Sequence, residues 1–148
     1  MTTLNEKLLR LPQSDMPILV TITTTGQNAN EHSIIKLRIQ IQNVSGRWIT
    51  VYVDTSRPHL KASIDMDHIN RVDALELLAE ARKSEAIDQC MLWDDICHWA
   101  SKFTSPVLIC DELTRAFLLE LEKDYRKTTS IKNRSWPFTG WVSTTYCT

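Results

Sequence analysis

Glycine is scarce, with three in 148 residues, too few for any of the glycine-rich loops that cradle phosphate. No apolar run approaches the roughly eighteen residues needed to cross a membrane. The opening stretch MTTLNEKLLRLPQSDM has no apolar core of signal-peptide type. A soluble, cytoplasmic protein without membrane attachment is therefore expected. The four cysteines, Cys90, Cys97, Cys110 and Cys147, never form CxxC and match no zinc-binding spacing. Cys97 adjoins His98, but neighbours on a helix point in different directions, so buried or half-buried free thiols are expected rather than a metal site. His32, His59, His68 and His98 are scattered and accompany no recognisable nucleophile motif, which argues against a hydrolase triad. A surplus of one charge sign is missing as well. With 17 basic and 18 acidic residues no global field draws the chain towards nucleic acid, so any such contact must be local.

What is present suits one folded domain. The chain is 43% hydrophobic and 24% charged, and its length allows one real core but not two. Residues 1–16 read as an N-terminal extension, with Leu4, Leu8, Leu9 and Leu11 giving a short amphipathic piece that Pro12 ends. Residues 17–148 read as the domain. PILVTITTTG is β-branched and closes on Gly26, predicting a strand and a tight turn in which the glycine supplies a positive φ. In HSIIKLRIQIQN the alternation of Ile35, Leu37, Ile39 and Ile41 predicts a strand with one buried face. Asn43 to Gly46 then form a hairpin turn, and RWITVYVD is the returning strand.

The period next changes to that of helices. Ala74, Leu75, Leu77, Leu78 and Ala81 predict one helix from about residue 67 to 83. Leu92, Ile96, Trp99 and Phe103 line a second, leaving Asp94, Asp95 and Lys102 for its solvated face. VLIC is apolar throughout, as a central parallel strand covered on both faces should be. Asp111 stands at an N-cap position, and Leu113, Phe117, Leu118, Leu121 and Tyr125 form the inner stripe of a third helix. After the polar stretch RKTTSIKNR, SWPFTGWVSTTYC gives a last extended piece. The order β-β-β-α-α-β-α-β is that of an α/β domain with a mixed, RNase H-like sheet.

Several segments carry a family resemblance. VTITTTG at 20–26 and the strand after it look like the first two strands of DnaQ-like 3′–5′ exonucleases, whose first strand bears D-x-E-T-x-G. Thr24 and Gly26 match that motif, while Thr21 and Thr23 stand where its two acids would be. IDMDHI at 64–69 and LICDELTRAFLLELEKDYR resemble the helix lead-in and second acidic motif of the exodeoxyribonuclease VIII-like branch, with Thr114 at the aspartate position. WPFTGWVSTTY resembles its closing motif, whose aspartate would fall near Val142 or Ser143, and no acidic residue follows Asp124. The family also has a final helix supplying a catalytic His or Tyr, for which the sequence offers no counterpart. That branch is common in prophages, which implies a phage or mobile-element setting.

Members of the family hold two divalent cations roughly 4 Å apart on these acids. Threonine offers no charge to offset dehydration of Mg²⁺. The resemblance therefore implies a catalytically inactive domain with no cofactor. Such a domain would act by binding, as a regulator or inhibitor of a protein of nucleic-acid metabolism or defence. A protein partner is expected, with room left for nucleic acid and for a homo-oligomer.

Two rivals stand beside this reading. One is a single-stranded nucleic-acid-binding protein, for which Arg126, Lys127, Lys132, Arg134 and Trp136 combine charge with an aromatic stacking surface. A solvated loop followed by core-packed tryptophans accounts for the same residues. The other rival is an exonuclease with relocated ligands drawn from Asp54, Asp65, Asp67, Asp94, Asp95, Asp111 and Glu112. Against it, Asp111 and Glu112 suit a helix N-terminus, where carboxylates are favoured anyway.

Overall fold

The computed structural model describes residues 3–59, 62–128 and 135–145. Helix α1 (Leu4–Leu9) is capped by Thr3, whose side chain accepts from the Glu6 amide. The apolar piece of the extension is thus helical. Lys7 Nζ donates to the carbonyls of Ser143 and Thr145 at 3.0 and 3.2 Å, tying the extension to the far end of the chain.

β1 (Met16–Thr24), β2 (Ile34–Gln42) and β3 (Trp48–Thr55) form the antiparallel meander that alternation predicts. The turn between β2 and β3 is built on Asn43, whose Oδ1 accepts the amides of Ser45 and Arg47, and on Gly46 at φ +81°. Gly26 does not supply a positive φ, since Gly46 is the glycine that has one. The reason for glycine at 26 is close approach, because a Cβ there would overlap the His32 ring.

One helix was expected over 67–83 and two are found, α2 (Met66–Arg71) and α3 (Leu75–Ala81). Asp73 adopts φ +53°, and the Ala74 amide reaches back to the Ile69 carbonyl at 3.0 Å. This is the closure of a Schellman motif, and Ile69 and Ala74 belong to one apolar cluster, as that motif favours. α4 (Gln89–Ala100), β4 (Pro106–Cys110), α5 (Glu112–Thr128) and β5 (Gly140–Ser143) complete the described elements. The Asp111 carboxylate accepts the Thr114 amide at 2.7 Å, as an N-cap does.

The sheet order is β3-β2-β1-β4-β5, with β4 parallel to β1 and β5 parallel to β4. Every residue of β4 is buried, as its wholly apolar sequence requires. Helices α4 and α5 cover one face, packing Leu92, Trp93, Ile96, Phe117 and Leu118 against Ile18, Val20, Leu37 and Ile39. Leu113, expected in the inner stripe of α5, is exposed, and Leu75 of α3 is exposed too. A second, smaller core gathers Ile35 with Ile69, Leu78 and Ala81. An irregularity in the β1–β2 ladder at Thr23/Thr24 makes this division possible. It sends Ile34 into the main core and its neighbour Ile35 into the small one.

Candidate functional site: an acid-free hollow on the open face of the sheet

Side chains alternate across a strand, so with Val20, Ile22, Leu37 and Ile39 in or against the main core, Thr21, Thr23, Lys36 and Arg38 lie on the opposite face. The register sets Thr21 opposite Arg38 and Thr23 opposite Lys36. The four line one hollow of about 160 Å³. None of the four side chains makes a hydrogen bond or ion pair with the described residues. On β3 the positions opposite Arg38 and Lys36 are Val53 and Thr55. Asp54, between them, pairs with Leu37 and belongs to the core side. No carboxylate therefore comes from β1, β2 or β3 on this face.

The remaining threonines of TTTG have structural duties. Thr24 Oγ1 donates to the Gly26 carbonyl and lies 3.5 Å from Nε2 of the buried His68. Thr25 Oγ1 donates to the Ser63 carbonyl and accepts the Ser33 amide. The lead-in to α2, the 64–69 segment, is thereby fastened to the end of β1, where the Asp65 amide also donates to the Thr25 carbonyl at 2.8 Å.

Thr21 and Thr23 thus share one site, and neither Thr114 nor Val142 lines it. Thr114 is buried in the first turn of α5, and Val142 is half-buried on β5 opposite Ile109. Among the described residues, no three His, Cys, Asp or Glu side chains come together as a metal-binding group. Four of the acids weighed as relocated ligands have other work. Asp65 and Asp111 cap helices. Asp94 and Asp95, expected on a solvated helix face, are instead half-buried, accepting the hydroxyls of Tyr125 at 2.9 Å and Tyr52 at 2.8 Å. Burial, and then the Asp95 carboxylate, push the Tyr52 phenol far above the usual range, so it remains a donor.

Of the residues suggested for nucleic acid, Lys132 and Arg134 lie outside the described residues. Arg126 pairs with Glu122 at 2.9 Å. Lys127 lines a separate, wider groove of about 590 Å³ that also includes His59 and Asp124, 3.5 Å apart. The half-buried Trp136 stacks on the buried Trp93, with centroids 6.0 Å apart, and meets Phe138 edge-on. Trp141 donates to the Cys110 carbonyl while Arg115 covers its ring. Both tryptophans pack as core aromatics do. Cys90, Cys97 and Cys110 are free thiols, and Cys147 lies outside the described residues. Burial, with the charge of Asp111 next, pushes the Cys110 thiol up to about 12.

Sequence reasoning missed Lys36 and Arg38, although the alternation of IIKLRIQIQ already placed them opposite the apolar face. It also missed Gln89. This buried side chain donates from Nε2 towards the Ile34 carbonyl, Ser56 Oγ and the Arg57 carbonyl, binding α4 to β2 and the end of β3.

A five-stranded mixed sheet in the order 3-2-1-4-5 with these helices is the RNase H-like fold that the resemblance implied. No known family model and no curated protein matches the sequence. Solved structures do. The chain is similar to E. coli Exonuclease I in complex with a dT13 oligonucleotide, with a TM-score of 0.62 and 9% identity over 82% of this chain and 27% of that one. An Exonuclease I in its apo form gives 0.62 and 10% over 84% and 29%. A moderately thermophilic Exonuclease I from Methylocaldum szegediense gives 0.61 and 11% over 86% and 27%. At such identities the likeness is one of fold, and the chain spans less than a third of the length of these structures.

Proposed function

We propose that this chain is a catalytically inactive exonuclease-like protein that works by binding, as a regulator or inhibitor of a protein of nucleic-acid metabolism or defence. The observation that carries this reading is the charge of the hollow. The resemblance sets Thr21 and Thr23 at the positions of the paired acids, and their cross-strand neighbours are the cations Arg38 and Lys36. Divalent ions need anionic oxygen to offset the loss of their hydration shells. Here they would meet neutral hydroxyls and two like charges, which repel them further. The resemblance to the exodeoxyribonuclease VIII-like branch adds a prophage or mobile-element setting to the proposal.

The test is incubation of the purified chain with labelled single-stranded DNA and RNA in Mg²⁺ and in Mn²⁺. The expected result is no shortening beyond a buffer control. Metal-dependent degradation by the purified chain that EDTA abolishes would overturn the reading. Affinity capture from the native cell is expected to return a protein at stoichiometric level, and nucleic acid alone would count against the regulatory role.

A further inference from the structure

We infer that the hollow lined by Thr21, Thr23, Lys36 and Arg38 binds a compact oxyanion, a phosphate group, without any metal. The inference deepens the proposal above by naming the ligand chemistry of that same hollow. Four groups able to donate hydrogen bonds surround one small space, and none is satisfied by another described residue. Two are the basic side chains of Lys36 and Arg38. Lys36 and Arg38 are two residues apart on one strand, so their stems leave the sheet about 7 Å apart. Their long side chains can close on a single group from both sides. Thr21 and Thr23 lie beside them as cross-strand neighbours, with Cβ separations of about 5 Å, and add two hydroxyl groups to the lining of the same hollow.

Chemistry selects the ligand class. Donors without acceptors other than hydroxyl favour an anion, and the absence of carboxylates from this face of β1, β2 and β3 leaves its field uniformly positive. Lysine suits a point charge and arginine a planar pair of oxygens, a division that a tetrahedral oxyanion satisfies. Size selects within the class. About 160 Å³ is room for one phosphate group. That group arrives either as free phosphate or as the terminal phosphate of a larger molecule.

The test is NMR titration of the full chain at low salt in the presence of EDTA, first with inorganic phosphate, then with a 5′-phosphorylated mononucleotide and its unphosphorylated nucleoside. The expected result is saturable shifts centred on Thr21, Thr23, Lys36 and Arg38 with either phosphate, and none with the nucleoside. Tighter binding of the mononucleotide assigns a terminal phosphate as the natural source, whereas equal binding assigns free phosphate. Lys36→Gln with Arg38→Gln should weaken binding at least tenfold while the rest of the spectrum stays native, and Lys36→Arg should retain it. Absence of saturable shifts with both phosphates overturns the inference, as does binding that the double variant leaves unchanged. Binding that appears only when Mg²⁺ replaces EDTA also overturns it. These results are separate from the nuclease assay, so an inactive chain that ignores phosphate refutes the inference alone.

Discussion

Cys110 shows how a single side chain sets a limit on the conditions the fold tolerates. Its thiol is buried beside Asp111, and its pKa is pushed up to about 12. The folded chain therefore keeps a proton that the unfolded chain releases in the ordinary thiol range. Between that range and about pH 12 the native state binds more protons, so stability is intact below the window and falls as pH rises through it. Tyr52, raised by burial and by Asp95, acts with the same sign. Urea unfolding from pH 8 to 11 should show stability declining with pH, and declining less steeply in a Cys110→Ala variant. Parallel slopes would show that this thiol is not the titrating group. The difference between the two curves is the informative quantity.

At the scale of elements, the connection from β1 to β2 depends on a glycine with ordinary backbone angles. Gly26→Ala would drive a methyl group into the His32 ring. Overpacking of this kind costs about 1–3 kcal/mol. His32→Ala should relieve most of it, so the double variant is expected to be more stable than the sum of the two single losses implies. A thermal-unfolding cycle checks this, and strict additivity would place the strain elsewhere. Elements whose cause is local were legible in the sequence. The alternation of β2 and β3, the Asn43–Gly46 turn and the Asp111 cap need no knowledge of distant residues. The division of 67–83 into α2 and α3 was not legible, because it rests on Asp73 entering the left-handed region, which aspartate does only occasionally. Asp94 and Asp95 read as solvated because the hydroxyls they accept lie 31 and 43 residues away in sequence. The candidate site was half legible. That VTITTTG carries no acid was plain, but the hollow's own cations come from a second strand and became part of it only through the register.

For the molecule as a whole, the two cores are joined through β2. Ile34 belongs to one and Ile35 to the other, and Gln89 fastens the start of α4 to the same strand. Neither core can open without disturbing that strand. Unfolding followed by far-UV circular dichroism and by tryptophan fluorescence is therefore expected to give coincident transitions. The fluorescence reports mainly on the large core through Trp93, and an earlier loss of helical signal would show α2 and α3 melting on their own.

The offset in the ladder at Thr23/Thr24 carries one more consequence. Deleting a residue between Ile34 and Leu37 would do more than shorten the strand. Losing Ile35 would leave the ladder regular but take from the small core its residue on the sheet, whereas losing Lys36 would remove one of the hollow's two cations. A single-codon deletion in this short stretch therefore costs either the small core or the charged hollow.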